Sequence, residues 1–328
     1  MDLTTILLLL LGFVLLIAGG ELLVRGAVTL AERLGLSPML VGLTVVGLGT
    51  SMPELAASVQ AALMGSPGIA VGNIVGSNLA NTLLILGMAA LIAPVGVERT
   101  VLWRDGVLGL VGVGLMLAAG LIGGLTLLVG AAFLVILVSY IAFAYRQERT
   151  GGTAQAATLR TEAVENTDPG IHPEASPDAS LLKAVLLFIA GCALIIVGGT
   201  VLVDAAIAIA AALGVSDEVI GLTVVAAGTS FPELVTTVIA ALRKQSDIAL
   251  GNVLGSNIYN IFFIGGVTGL VAPGPIPASI LAFDLWVLLA AAAVAVLFAW
   301  TGGRLGRREG GVLLLSYVAF IVYTVMSV

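Results

Sequence analysis

The chain has 328 residues, 59% of them hydrophobic and 10% charged, with a formal net charge of -6 and a mean hydropathy of +1.18. So few charges exclude a soluble fold, which needs a polar surface, and point to a protein whose solvent is lipid. A single cysteine, Cys192, and a single histidine, His172, argue against disulfides, thiol or zinc enzymes and histidine proton relays.

In chain order, apolar blocks fall at about residues 3–28, 38–64, 69–93, 103–119, 123–145, 181–211, 217–242, 248–272, 281–300 and 310–327. Each is long enough to cross a hydrocarbon core of about 30 Å at about 1.5 Å of rise per residue. The opening run after Met1 and Asp2 lacks a basic flank and a cleavage site, so it reads as a first transmembrane helix rather than a signal peptide. The expected fold is therefore an all-α integral membrane protein with ten transmembrane helices. Residues 146–180, rich in Thr, Ala, Glu, Asp and Pro, cannot bury a core and read as a disordered connector containing His172.

The basic residues orient the chain. With both termini outside, Arg33, Arg99, Arg104, Arg146, Arg149, Arg160, Lys183, Arg243, Lys244, Arg304, Arg307 and Arg308 all fall in inner loops, and Arg25 near the inner end of the first helix. This places the protein as a multi-pass component of the cell (inner) membrane with a cytoplasmic connector.

The chain also matches itself at a shift of 179 positions, without a gap. Gly49-Thr50-Ser51-Met52-Pro53-Glu54-Leu55 returns as Gly228-Thr229-Ser230-Phe231-Pro232-Glu233-Leu234, and Gly76-Ser77-Asn78-Leu79-Ala80-Asn81 as Gly255-Ser256-Asn257-Ile258-Tyr259-Asn260. From Val41/Ile220 to Gly87/Gly266 there are 25 identities in 47 pairs. The reading is a first five-helix repeat over residues 1–145, the connector over 146–180 and a second repeat over 181–328. Five is odd, so the second repeat inserts upside down, and the charges agree: where one copy is basic, the other is not. Inverted repeats are the architecture of secondary transporters, with the substrate site at the midplane.

Glu54 and Glu233 lie mid-block at equivalent positions, with no basic neighbour in sequence. A carboxylate there is costly and by default functional. Ser51-Met52-Pro53-Glu54 also fits a capping box at a helix restart, in which the glutamate merely caps. A restart at mid-membrane is itself tolerated only where freed backbone lines a cavity, and Pro53 and Pro232 withhold amides from the carbonyls of Gly49 and Gly228. Thr50 and Glu54, four apart, are expected on one helix face. Asn73, Ser77 and Asn81 form a polar stripe that Asn252, Ser256 and Asn260 repeat. For Ser77, Asn81, Ser256 and Asn260 ion ligation is the favoured role, whereas Asn73, Asn78, Asn252 and Asn257 fit interhelical hydrogen bonding equally well. Glu21, Arg25 and Asp204 read as interfacial charges, the first two as a local pair. The pooled ligands are carboxylate, hydroxyl, amide and carbonyl oxygens, which suit calcium and the similarly sized sodium ion.

The doubled Gly-Thr-Ser-x-Pro-Glu and Gly-Ser-Asn-x-x-Asn segments resemble the alpha repeats of the cation/calcium exchanger superfamily, and the sodium/calcium exchangers most among its branches. The resemblance implies a calcium and sodium site on Glu54 and Glu233, completed by Thr50, Ser51, Ser77, Thr229, Ser230 and Ser256 and by carbonyls at Gly47 and Ala226. It also implies first and sixth helices that slide past the other eight. This chain has amides at both Asn81 and Asn260, where several relatives have aspartate at the second position. The function expected is sodium/calcium antiport by alternating access, with no enzyme activity, cofactor or nucleic-acid partner, by a monomer in the bilayer. A proton/calcium antiporter on the same scaffold and a cation channel are the rival readings. An intramembrane enzyme would need a nucleophile and base that the blocks do not supply.

Overall fold

The computed structural model describes residues 3–33, 51–150, 181–242 and 246–327. Thr50, Gly47 and the connector from residue 151 onward lie outside the described residues. The helices are α1 (Leu3–Arg33), α2 (Met52–Leu63), α3 (Pro67–Ile92), α4 (Arg99–Leu121), α5 (Leu127–Thr150), α6 (Leu181–Leu213), α7 (Asp217–Thr229) and α8 (Phe231–Leu242). Then come α9, which starts as Ser246–Ile258 and continues through Tyr259–Ile264 to Gly265–Val271, α10 (Ile280–Gly302) and α11 (Arg307–Met326). Among the described residues eight helices are long and apolar enough to span a membrane, and α7 with α8, bent by 46°, make a ninth span. Helix α2 is the described part of the block expected at residues 38–64. Helix α5 runs on through Thr150, past the point where the connector was expected to begin.

The described elements of the two repeats fall at corresponding positions at the 179-residue shift. Met52–Leu63 corresponds to Phe231–Leu242, and the Pro67–Leu79 segment of α3 to Ser246–Ile258. Both α3 and α9 then widen into a π turn at equivalent places, Ala80–Ile85 and Tyr259–Ile264. That doubled irregularity is a feature of the fold; π turns inside α-helices cluster at functional sites.

Two small β contacts fix the relative direction of the repeats. Strand β1 (Val95–Gly96) pairs antiparallel with β2 (Arg304–Leu305), joining the start of α4 to the end of α10. Leu125 exchanges backbone hydrogen bonds with Gly274 (2.9 and 3.2 Å), joining the end of α4 to the start of α10. Helix α4 has 23 residues, about 34 Å of rise, so the two contacts sit at opposite ends of a membrane crossing. Helices α4 and α10 are repeat equivalents and run antiparallel, so the repeats are inverted. The turn at the second contact requires glycine: Gly124 has φ +98°, and a Cβ there would lie 2.4 Å from the Gly274 carbonyl.

Burial separates two groups of helices. The most apolar stretches of α3 and α9 are 83% and 67% buried, whereas those of α1 and α6 are each 28% buried. Helices α3 and α9 are therefore central, and α1 and α6 form a peripheral pair packed along their lengths. Glycines seven apart permit the close approach: a Cβ on Gly12, Gly19 or Gly26 would meet the backbone of α6 within 2.8 Å, and one on Gly191 would meet Leu23 at 2.4 Å. Small residues at such crossings let helix backbones touch, where dispersion rather than water expulsion drives association. On α1, Arg25 and Glu21 form the expected local ion pair, and Asp204 on α6 is exposed.

Candidate ion-binding site

Glu54 and Glu233 are each 1% exposed, one in the first turn of α2 and the other in the first turn of α8. The breaks that place them there follow from sequence: a proline in the first turn cannot supply the amide that would continue the preceding helix. The alternative in which the glutamate merely caps the helix is not seen. Ser51 occupies the N-cap of α2 without a side-chain cap hydrogen bond, its hydroxyl has no partner among the described residues, and the Glu54 carboxylate turns elsewhere. Its Oε1 accepts a hydrogen bond from Ser230 Oγ at 3.2 Å, at the break between α7 and α8 of the other repeat. Ser230 lies three residues before Glu233, so this bond sets the helix bend leading to the second glutamate against the first.

Thr229 ends α7 and Glu233 lies beyond the bend at Ser230. The Thr229 hydroxyl turns back, with Val225 O at 3.0 Å, Ala226 O at 3.4 Å and Asn73 Oδ1 at 3.1 Å. The Ala226 carbonyl also accepts the Ser230 amide at 3.0 Å, so it sits at the break as the resemblance implied, already holding one helical hydrogen bond.

Ser77, Asn81, Ser256 and Asn260 are buried. Asn81 and Asn260 lie within the two π turns, and their amide groups find no partner at either end among the described residues. The turn bearing Asn260 packs against α2, which carries Glu54, and the turn bearing Asn81 packs against α8, which carries Glu233. Each carboxylate-bearing helix thus packs against the π turn of the opposite repeat. Glu54 Oε2 is buried and unpartnered as well. Buried polar atoms left without partners are costly, so their accumulation here marks a place built for something else to occupy. The oxygens suit a hard cation: charge from two carboxylates, with neutral hydroxyl and amide oxygens filling out the shell.

Sequence reasoning passed over two features that the 179-residue shift contained. Ser58 and Thr237, one turn beyond the glutamates, are equivalent fully buried hydroxyls that take hydrogen bonds from Asn73 and Asn252, at 2.9 Å each. Asp105 and Asp284 are equivalent buried carboxylates; Asp105 is held by Arg104 (2.6 and 3.0 Å) and Tyr140 (3.0 Å).

With this geometry in hand, the family model for sodium/calcium exchanger proteins matches residues 4–146 and 183–326, leaving out only the connector and the extreme termini. The chain belongs to the sodium/calcium exchanger family. It is 37% identical to the sodium/calcium exchanger MaX1 of Methanosarcina acetivorans, covering 96% of this chain and 97% of that one. It is 35% identical to the putative antiporter CaxA of Alkalimonas amylolytica, covering 95% of each. Among solved structures it resembles the sodium-calcium exchanger NCX_Mj, at 31% identity and a TM-score of 0.62, over 98% of this chain and 99% of that one. This family member is accordingly a multi-pass membrane protein of ten helices in two inverted repeats, in a family of cation exchangers.

Proposed function

We propose that the protein is a secondary active antiporter that exchanges calcium for sodium by alternating access at the site between Glu54 and Glu233. The observation carrying this reading is that pair: two buried carboxylates, from opposite repeats, with no basic side chain hydrogen-bonded to Glu54. Ser51, Thr229, Ser230, Ser77, Ser256, Asn81 and Asn260 supply the neutral oxygens, together with the Ala226 carbonyl and with Thr50 and Gly47, by repeat equivalence.

The mechanism follows from charge. Empty, the site holds about two negative charges in a low-dielectric interior, so the unloaded carrier resists reorientation. One calcium ion neutralises it, and two or three sodium ions neutralise it or leave one positive charge. Only loaded forms cross, which makes the transport an obligate exchange. Three sodium ions per calcium would move one net charge, worth about 2.3 kcal/mol per 100 mV. The close packing of α1 on α6 along their lengths supports the reading that these two helices move together against the rest. Residues 1–145 and 181–328 act as the two halves, the connector over 146–180 lies in the cytoplasm, and both termini lie outside.

Calcium uptake into proteoliposomes tests this, with an outward sodium gradient, an outward proton gradient or neither. Uptake driven by sodium alone is expected. Uptake driven by protons alone would assign the protein to proton coupling, and uptake with no counter-ion would make it a channel.

A further inference from the structure

The site hydroxyls can ligate a cation only if their protons point away from it, and one buried side chain controls this. Asn73, fully buried on α3, donates through Nδ2 to the Glu54 carbonyl at 3.0 Å and to Ser58 Oγ at 2.9 Å. A carbonyl accepts and cannot donate, so the amide has one orientation: nitrogen towards α2, oxygen towards the site. Asn73 Oδ1 is then the acceptor for Thr229 Oγ1 at 3.1 Å and Ser77 Oγ at 3.5 Å. Every other group within reach of the Thr229 hydroxyl, Val225 O and Ala226 O, is also an acceptor. The inverted repeat builds the donor half of the same arrangement. Asn252 Nδ2 donates to the Glu233 carbonyl at 3.3 Å and to Thr237 Oγ1 at 2.9 Å.

We propose that Asn73 is a positioning residue that helps set the proton direction of the Thr229 and Ser77 hydroxyls. This inference rests on the ion-site reading above. A hydroxyl carries one proton and two lone pairs. Asn73 Oδ1 joins the Val225 and Ala226 carbonyls in drawing the Thr229 proton, and also accepts from Ser77, so that both hydroxyls turn lone pairs rather than protons to a cation and need not be reoriented on binding. The asparagine touches no ion itself. It also ties the second repeat's hydroxyl to the first repeat's carboxylate helix, so the two halves of the site are held in register.

The test is a double-mutant cycle on calcium binding to the purified full-length protein, read by calorimetry, with Glu54→Gln as reference. Asn73→Ala and Thr229→Val are each expected to weaken calcium binding roughly tenfold. If the asparagine acts through that hydroxyl, the double variant is weakened roughly tenfold in total rather than a hundredfold, because both changes remove one interaction. Independent effects that multiply, or unchanged binding in Asn73→Ala, overturn the proposal. Should Asn73→Ala fail to fold, Ser58→Ala takes its place in the cycle: it removes one of the two acceptors fixing the amide and should weaken binding two- to fivefold, about that much, non-additively with Thr229→Val. Glu54→Gln separates the two levels. Calcium binding lost there but multiplicative in the cycle rejects only the positioning role, whereas binding retained in Glu54→Gln rejects the site itself.

Discussion

Ser230 donates its hydroxyl proton to Glu54, 176 positions earlier in the chain, at 3.2 Å. The donor stands at the bend between α7 and α8 in one repeat and the acceptor in the first turn of α2 in the other. The bond crosses the pseudo-twofold axis, so neither repeat completes the site alone. It also leaves the other carboxylate oxygen of Glu54 buried and without a partner.

Removing either carboxylate charge should stop exchange. Glu54→Gln and Glu233→Gln keep the side-chain shape but leave one negative charge to face a divalent ion. Sodium-driven calcium uptake is expected to fall by about a hundredfold or more in each, which corresponds to about 3 kcal/mol. Size-exclusion profiles should remain those of the parent. Near-normal uptake in both variants would place the site elsewhere.

The inverted arrangement predicts opposite sidedness for two exposed positions. Met64 precedes α3 and Arg304 lies at the β contact beside the far end of that helix. In a Cys192→Ser background, single cysteines replacing Met64 and Arg304 should react with a membrane-impermeant thiol reagent from the outside and the cytoplasmic side respectively. Labelling of both from one side contradicts the topology.

Gly228, at the second helix break, is needed for a packing reason. A Cβ there would lie 1.9 Å from the ring of Phe13 on α1. Gly228→Ala should therefore force the ring or the helix aside and lower stability by about 1–3 kcal/mol, the usual scale of overpacking. Phe13→Ala in the same chain should restore most of the loss, as measured by thermal unfolding in detergent. An additive double variant would mean that the two residues do not meet.

The two amides Asn81 and Asn260 limit the site to two fixed negative charges. Asn260→Asp adds a third carboxylate, which needs a further monovalent cation or a proton for neutrality. Uptake by the parent protein should be indifferent to potassium, whereas uptake by Asn260→Asp should become sensitive to potassium or to pH. Parallel vesicle assays with and without potassium decide it, and an absolute potassium requirement in the parent would refute the two-charge account.

Much of this was legible in the sequence because it rests on composition and periodicity. Hydropathy alone sets the membrane class, since a helix in lipid must satisfy its own backbone and be apolar along its length. The 179-residue self-match and the antiphase of the basic residues determined two inverted repeats, and the same match paired Glu54 with Glu233. Only the tertiary structure decided how those residues are used. That Ser230 serves Glu54 rather than its own repeat's glutamate, that Thr229 turns back to Asn73, and that the capping box at Ser51 stays open depend on which helices cross. A hydrogen bond between groups 156 or 176 positions apart leaves no period in the sequence. The packing of α1 on α6 is of the same kind: the glycines can be read off the chain, but only the crossing shows which backbone each of them admits.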